Sequence, residues 1–405
     1  MRPTPEAPLA PHSCTRAVAA LFLAALVLSP SAGHAQGTAR SMDIETSVRA
    51  AGMGGASAGV WWGEPGVWGN PASLAEVRGI GVVDGHTQLV PGLATDVFFD
   101  SRRVLIGGGG FGLSLMGVPD GFGKLRLDYG KTAITDSFGR VIGSFHPYER
   151  VEGVGIGFSP VRLFDRIRGR DRGGDAPLSR WFDVALGAQH KHTKVVLFPP
   201  SSGGAGTGDT WDWGVTGRIS VLPAHDPTLP VHLEVSGGWS VLNANDERFE
   251  FGALFGGTAP PTRTRRIGGA VHAMLPSPWR AGDDAMLRVI VAELHPLEVG
   301  VAYDKDRVSA GGDAPFYTIE HTGLEATVFG VLTGRWGHYS DPAGQIVDDT
   351  FGYGFRLPVG PWGAVTYDHA RVPQANSSGL PDVKRRAWSV WVDPLRIWRD
   401  THAAR

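Results

Sequence analysis

Trp211 to Val221 reads W-D-W-G-V-T-G-R-I-S-V. Trp211, Trp213, Val215, Ile219 and Val221 fall at alternate positions, and Asp212, Gly214, Thr216, Arg218 and Ser220 lie between them. Successive side chains of a strand point to opposite faces, so an extended chain here has one bulky apolar face and one small, polar face. The same period of two recurs along the chain. Phe182, Val184, Leu186 and Ala188 alternate with Asp183, Ala185, Gly187 and Gln189. Val231 to Val241, Leu297 to Tyr303 and Phe351 to Leu357 repeat the pattern.

Alternation alone also fits a soluble sandwich. Several segments run about ten residues, enough to cross a bilayer as a tilted strand. Trp and Tyr recur at segment ends, as in Trp211, Trp213, Tyr303, Trp362 and Trp388, where interfacial girdles lie. The expected fold class is all-β: a transmembrane antiparallel β-barrel. Fifteen candidate strands are found, including Gly79–Val90, Thr95–Arg102, Val104–Val118 and Met286–Glu293. Single-chain bacterial barrels have even strand numbers, so about 14 strands are expected. Lys124–Arg150 is where a missed strand would hide, and Met286–Tyr303 where a spurious one would lie.

The first residues carry an export signal. Arg16 precedes the apolar run Ala17–Leu28, which is too short for a transmembrane helix, and Gly33-His34-Ala35 offers a small-x-small cleavage site. Residues 1–35 are read as a signal peptide, so the expected location is the outer membrane of a Gram-negative-type bacterium. Cys14, the one cysteine, would leave with them, which excludes disulfides and cysteine metal sites. The chain has 58 glycines, roughly twice the usual share. A formal charge of −2 gives no reason to expect nucleic acid.

Residues 36–78 are read as a plug, 79–393 as the barrel and 394–405 as a tail. In the plug, Ala51–Ala56 (A-G-M-G-G-A) is too glycine-rich to make a good helix. Asn70-Pro71-Ala72 is a turn signal in which Asn caps and Pro starts a short helix. Arg162–Arg180 holds six arginines and reads as a solvated loop or, more sharply, as a contact with anionic lipid or a partner protein. His190 and His192 share a strand face, without a third metal ligand placed by the sequence. Gly107–Gly110 lacks the ending of a phosphate loop and reads as a thin, bendable strand. Glu234, Asp212 and Glu298 fall on the predicted lumen face with Arg218 and Arg356, as the polar lining of an interior. No catalytic motif, cofactor site or metal site emerges, and no enzyme is expected.

Both ends of the barrel region carry a resemblance. Arg49–Leu74, with A-A-G-M-G-G-A followed by N-P-A-S-L, is similar to the N-terminus of the FadL-like outer membrane proteins. The runs H-T-G-L-E-A-T-V-F-G, R-W-G-H-Y-S-D, T-F-G-Y-G-F-R and A-V-T-Y-D-H-A, from His321 to Ala370, are similar to that superfamily's PorV-like branch. The chain departs from it at Trp62–Gly66 and in running on through Pro394 to Arg405. The resemblance implies a fourteen-strand barrel with an internal hatch. The FadL branch implies passive uptake of hydrophobic small molecules. The PorV branch implies a structural or secretion-accessory barrel that binds exported proteins. Outer-membrane lipid is a partner in either case. The plug motif would be Gly52, Gly54, Gly55, Asn70, Pro71 and Ala72. Trp61, Trp62, Val67 and Trp68 would contact a hydrophobic ligand in an apolar pocket between plug and wall.

Overall fold

The computed structural model describes residues 38–394 and 397, apart from 64–65, 118–123, 170–176, 200–203, 224–228, 246, 253–256, 279–293, 311–314 and 360–361. The predicted signal segment and the candidate strand Met286–Glu293 therefore lie outside the described residues.

The chain enters through a short helix, α1 (Val48–Gly52), and a 3-10 turn over Pro71–Glu76. The wall follows with β1 (Gly79–Gln88), β2 (Val97–Gly108), β3 (Phe111–Met116) and β4 (Lys124–Tyr129). A separate hairpin, β5 (Thr132–Thr135) and β6 (Val141–Phe145), precedes β7 (Tyr148–Phe158). Helix α2 (Pro160–Ile167) leads to β8 (Phe182–Val196), β9 (Ala205–Leu222) and β10 (His232–Leu242). Two short strands, β11 (Phe249–Phe251) and β12 (Thr258–Ala259), come before β13 (Arg263–Met274) and β14 (Leu297–Ser309). The wall ends with β15 (Tyr317–Val328), β16 (Leu332–Asp341), β17 (Ile346–Pro358), β18 (Gly363–Val372) and β19 (Val383–Val392).

Every ladder is antiparallel, and the sheet closes because β1 pairs with β2 on one side and β19 on the other. The closing register runs from Ile80 opposite Val392 to Thr87 opposite Arg385. β3 pairs with the second half of β2 and β4 with its first half, and both pair with β7. Together they form one stave, so the cylinder is a closed 14-strand barrel. The stretch Lys124–Arg150 does supply the missing piece of wall, as β4.

Two expected boundaries are corrected. Thr95–Arg102 and Val104–Val118 are not separate strands, because β2 runs unbroken through Arg103. Gly107–Gly110 is not a bendable strand interior: β2 ends at Gly108, and Gly109 (φ 65°) and Gly110 (φ 87°) make the hairpin turn into β3. Nothing in the sequence marks which of four consecutive glycines turns. At the same end of the barrel, Phe329 (φ 55°) and Gly330 (φ 63°) make the tight turn from β15 to β16. Two adjacent positive-φ residues match the twist of a hairpin.

The barrel is inside out relative to a sandwich. Trp213 is 48% exposed, whereas Asp212 is 1% exposed. Ile219, Val235, Trp239, Val301, Phe351, Tyr353 and Trp388 also face outward and are exposed. Thr210, Thr216, Ser240, Asp304 and Asp368 face inward and are buried. A soluble fold would hide the first set and hydrate the second. A hydrocarbon surround reverses the preference, and a closed ladder leaves no strand edge unpaired within it.

Val215, near the middle of β9, sits on the outer face opposite Leu186 and Trp239. Val215→Arg is expected to lower the stability of vesicle-folded protein by about 2–4 kcal/mol. Equilibrium denaturation from vesicles measures this, and an unmoved midpoint would show that this face does not meet lipid.

Candidate functional site

The interior is occupied by the chain's own residues 38–63 and 66–78, which meet the wall through apolar packing and polar anchors. Ser47 caps α1 by accepting the Ala50 N–H. The helix stops at Gly52, which lies against Gly352 of β17. Gly54 follows at φ 68°, and a Cβ there would lie 2.6 Å from the His338 carbonyl oxygen and 2.7 Å from that of Thr322. Only glycine fits a backbone pressed this closely on two strands. The Gly54 N–H donates to Thr350 Oγ1. Gly55 (φ 91°) lies against the His321 ring, whose Nδ1 is 2.7 Å from the Gly54 carbonyl oxygen.

Charged anchors flank these contacts. Arg49 of α1 makes a two-pronged contact with Glu325 of β15, Nε and Nη2 each donating at 2.8 Å. Arg335 of β16 donates to the same carboxylate at 2.6 Å and to Asp368 of β18 at 2.6 Å. One carboxylate thus ties the inner segment to its own wall and, through Arg335, to β18. A second anchor is Asp304 of β14, whose Oδ2 accepts the N–H groups of Ser57 and Ala58 at 2.7 and 2.8 Å. Beside it, Arg266 holds Asp306 with two bonds of 2.7 Å and donates to Ser57 Oγ at 3.2 Å. Lys191 pairs with Asp212 at 2.9 Å and stands over the Trp68 ring.

The Asn-Pro-Ala turn is a third anchor. Asn70 Oδ1 accepts the Ala72 N–H, and its Nδ2 donates to the carbonyls of Ala58 and, on β9, Val215. Pro71 begins the 3-10 turn and Ala72 is fully buried. Asn70 therefore caps the turn and also fastens it to the wall.

The four expected ligand contacts do not converge. Trp61 and Trp62 line a cavity of about 640 Å³ between the inner segment and the wall. Val67 packs with Leu74, Val77, Val83 and Leu105. Trp68 packs among Met42, Phe99 and Met116, and its indole N–H donates to the Met42 carbonyl. Nor is the cavity wholly apolar. Trp62, Trp362 and Trp391 share its lining with Arg49, Glu325, Arg335 and Asp368. Val77, Arg78, Val392 and Asp393 also line it, so it opens at the end where β1 begins and β19 finishes. Trp62 stacks on His272 with centroids 4.8 Å apart and donates to Glu325 at 3.0 Å. Trp61 lies under the guanidinium groups of Arg162 and Arg218, at 5.8 and 5.3 Å from its ring centre. The site combines aromatic faces with fixed charges of both signs.

At the mouth, Glu76 pairs with Arg162 of α2 at 2.5 Å, and Arg162 also holds Asp183 of β8 at 2.5 Å. Burial, the strongest influence, pushes the Glu76 carboxyl above its ordinary value, while Arg162 pulls the other way. A carboxyl raised on folding adds stability below its unfolded pKa and loses that contribution as pH rises through the folded value.

Of the lumen carboxylates expected from alternation, Glu234 pairs with Arg218 at 2.6 Å. Glu298 lines the interior cavity together with Arg356, as expected, and lies 3.6 Å from His272. His190 and His192 do share a face, and both reach Asp209, at 3.2 and 3.0 Å. Among the described residues, no group of His, Cys, Asp or Glu is placed to hold a metal ion. Sequence reasoning missed Arg49, Asp304, Arg266 and Arg335 as anchors. The signal for the wall residues was a charge at a lumen-facing strand position; their partners carry none.

No protein-family model matches the sequence, and no curated protein matches it. Among solved structures, the chain is similar to a Pseudomonas aeruginosa FadL homologue at 10% identity, over 86% of this chain and 98% of that one, with a TM-score of 0.38. It is similar to the Pseudomonas putida toluene transporter TodX at 12% identity, over 84% and 95%, with a TM-score of 0.37. It is also similar to the Acinetobacter baumannii outer membrane protein Omp33 at 10% identity, over 78% and 98%, with a TM-score of 0.32. The fold assignment rests on the strand pairing itself.

Glu325→Gln leaves Arg49 and Arg335 facing one another without a full countercharge. Breaking a buried pair from one side costs about 3–5 kcal/mol. The expected outcome is a loosened inner segment, read as larger and noisier single-channel conductance in planar bilayers; a silent, wild-type trace would contradict the anchoring role. Arg162→Ala should destabilise the barrel strongly, because Glu76 and Asp183 stay buried. Glu76→Gln should be tolerated and should flatten the fall in stability from acid to neutral pH, measured by denaturation at a series of pH values.

Proposed function

We propose that this chain is a FadL-type outer-membrane channel for passive uptake of hydrophobic small molecules, with residues 36–78 as its plug. The carrying observation is the cavity between inner segment and wall, where the indoles of Trp61, Trp62 and Trp391 stand beside arginines and carboxylates. Aromatic faces offer an apolar body a large contact area, and the charges beside them offer a partner to a polar head. The solute class this fits is small and hydrophobic, carrying one polar group. A barrel of this girth left open would leak, so a fastened segment inside it suits selective passage. Residues 1–35 act as the export signal in this reading, which places the mature chain in the outer membrane of a Gram-negative-type bacterium.

The test is uptake by intact cells of a host lacking its own hydrophobic-solute channels. A radiolabelled long-chain fatty acid and a monoaromatic hydrocarbon are the probes. Expression of the chain should speed entry of at least one. Trp62→Ala should reduce that entry about tenfold, in line with the loss of an aromatic anchor worth more than 1 kcal/mol. Entry equal to an empty-vector control for both probes would sink the proposal.

A further inference from the structure

The connection from β7 to β8 is built for a surface that the uptake reading does not use. Helix α2 begins with Ser159, whose Oγ accepts the Arg162 N–H and donates to Asp183. At about 100° per residue, Val161, Arg162 and Asp165 share one side. That side faces the protein. Arg162 reaches Glu76, Asp183 and the Ala75 carbonyl. Asp165 accepts the N–H groups of Leu178 and Ser179. The opposite side carries Leu163, Phe164 and Ile167, which are 49%, 40% and 75% exposed. Arg166 and Arg168 flank this stripe, one on each side, and both are exposed. The helix is therefore held by its polar side and turns its apolar side outward.

We infer that α2 is an interfacial anchor that seats its apolar stripe in the inner leaflet of the outer membrane, with Arg166 and Arg168 on anionic phospholipid headgroups. Two observations select lipid as the occupant. In sequence, the stripe is bracketed by outward-facing residues of the wall. Phe158 ends β7 two residues before Pro160, Phe111 pairs with it, and Trp181 and Phe182 resume the wall after the connection; all four side chains are exposed. A Trp at the rim of an apolar belt belongs at the headgroup level. The charge pattern is complementary as well, since an apolar stripe between two cations matches an acyl boundary beneath anionic headgroups. The end of the barrel agrees: α2 lies with the tight hairpin turn Gly109-Gly110, at the same end as the tight turn Phe329-Gly330, and short turns mark the periplasmic end of such barrels. Through the Arg162–Glu76 pair the anchor also grips the last turn of the inner segment.

The experiment uses the full chain with Cys14→Ser and a single new cysteine, at Ile167 (Ile167→Cys) or, as reference, at the exposed tip of the β5–β6 hairpin (Phe138→Cys). Each carries an environment-sensitive fluorophore and is folded into vesicles of phosphatidylethanolamine with phosphatidylglycerol. The label at 167 should emit at shorter wavelength than that at 138. It should be quenched by lipids bearing a nitroxide near the headgroup end of the acyl chain, and it should resist aqueous iodide. Arg166→Glu with Arg168→Glu, which leaves every Arg162 pair in place, should abolish the dependence of that emission on the phosphatidylglycerol fraction. Heat-modifiable migration on a gel confirms that each variant is folded. Iodide quenching at 167 as strong as at 138 in folded protein would overturn the inference. So would shielding that arises only when a soluble protein is added, because the occupant would then be a protein.

Discussion

The pairing of β1 with β19 sets the terms for the rest of the molecule. Once those two strands share a ladder, the described wall has no open edge, and its strands pair their backbone groups with one another instead of with water. The cylinder can then stand in hydrocarbon, and its outer side chains must be apolar. The same closure creates an interior that a wall of this many strands cannot fill with its own side chains. Apolar wall residues such as Phe99, Leu105 and Met116 pack on parts of the filling segment, but many of the inward side chains are small or charged, so polar contacts share in holding it.

The filling segment solves this with directional contacts. Arg49 meets Glu325 through two parallel bonds, Asp304 accepts two successive N–H groups, and Asn70 bonds both to its own turn and to β9. Buried ion pairs give little net stability, because desolvation offsets their attraction, but removing one partner is costly. Such contacts therefore specify one seating of the segment more than they strengthen it. Of these groups, Arg49 and Glu325 also line the cavity beside Trp61 and Trp62, so that pair both holds the segment and shapes the cavity.

How much of this is legible in the residues depends on the range of the interaction. Which face of β9 is lipid and which is lumen follows from Trp213 and Asp212 alone, because strand geometry forces neighbours to opposite sides. The strand ends are less legible. β2 passes through Arg102 and Arg103 without a break, since a charged pair there is no turn signal and both residues find partners across the sheet or inside it. The run Gly107–Gly110 offers four residues able to turn, and only pairing with β3 decides that the turn falls at Gly109-Gly110. The arginine-rich stretch after Phe158 begins with a helix because Ser159 and Pro160 supply a cap and a first turn, a signal readable in advance but outweighed by the charge of the segment.

The sequence by itself determined the alternation, and with it the all-β class, the two chemically opposed faces, an approximate strand number and the capping role of Asn70-Pro71. These are local, because each depends on residues within a few positions of one another. The tertiary structure alone decided the partners: Arg49 with Glu325, 276 positions apart, Ser57 with Asp304, and the separation of Trp61 and Trp62 from Val67 and Trp68. A strand states which way a side chain points, but not which strand stands across the lumen. That depends on how many staves close the ring and in what register, a property of the whole cylinder and of no single stretch.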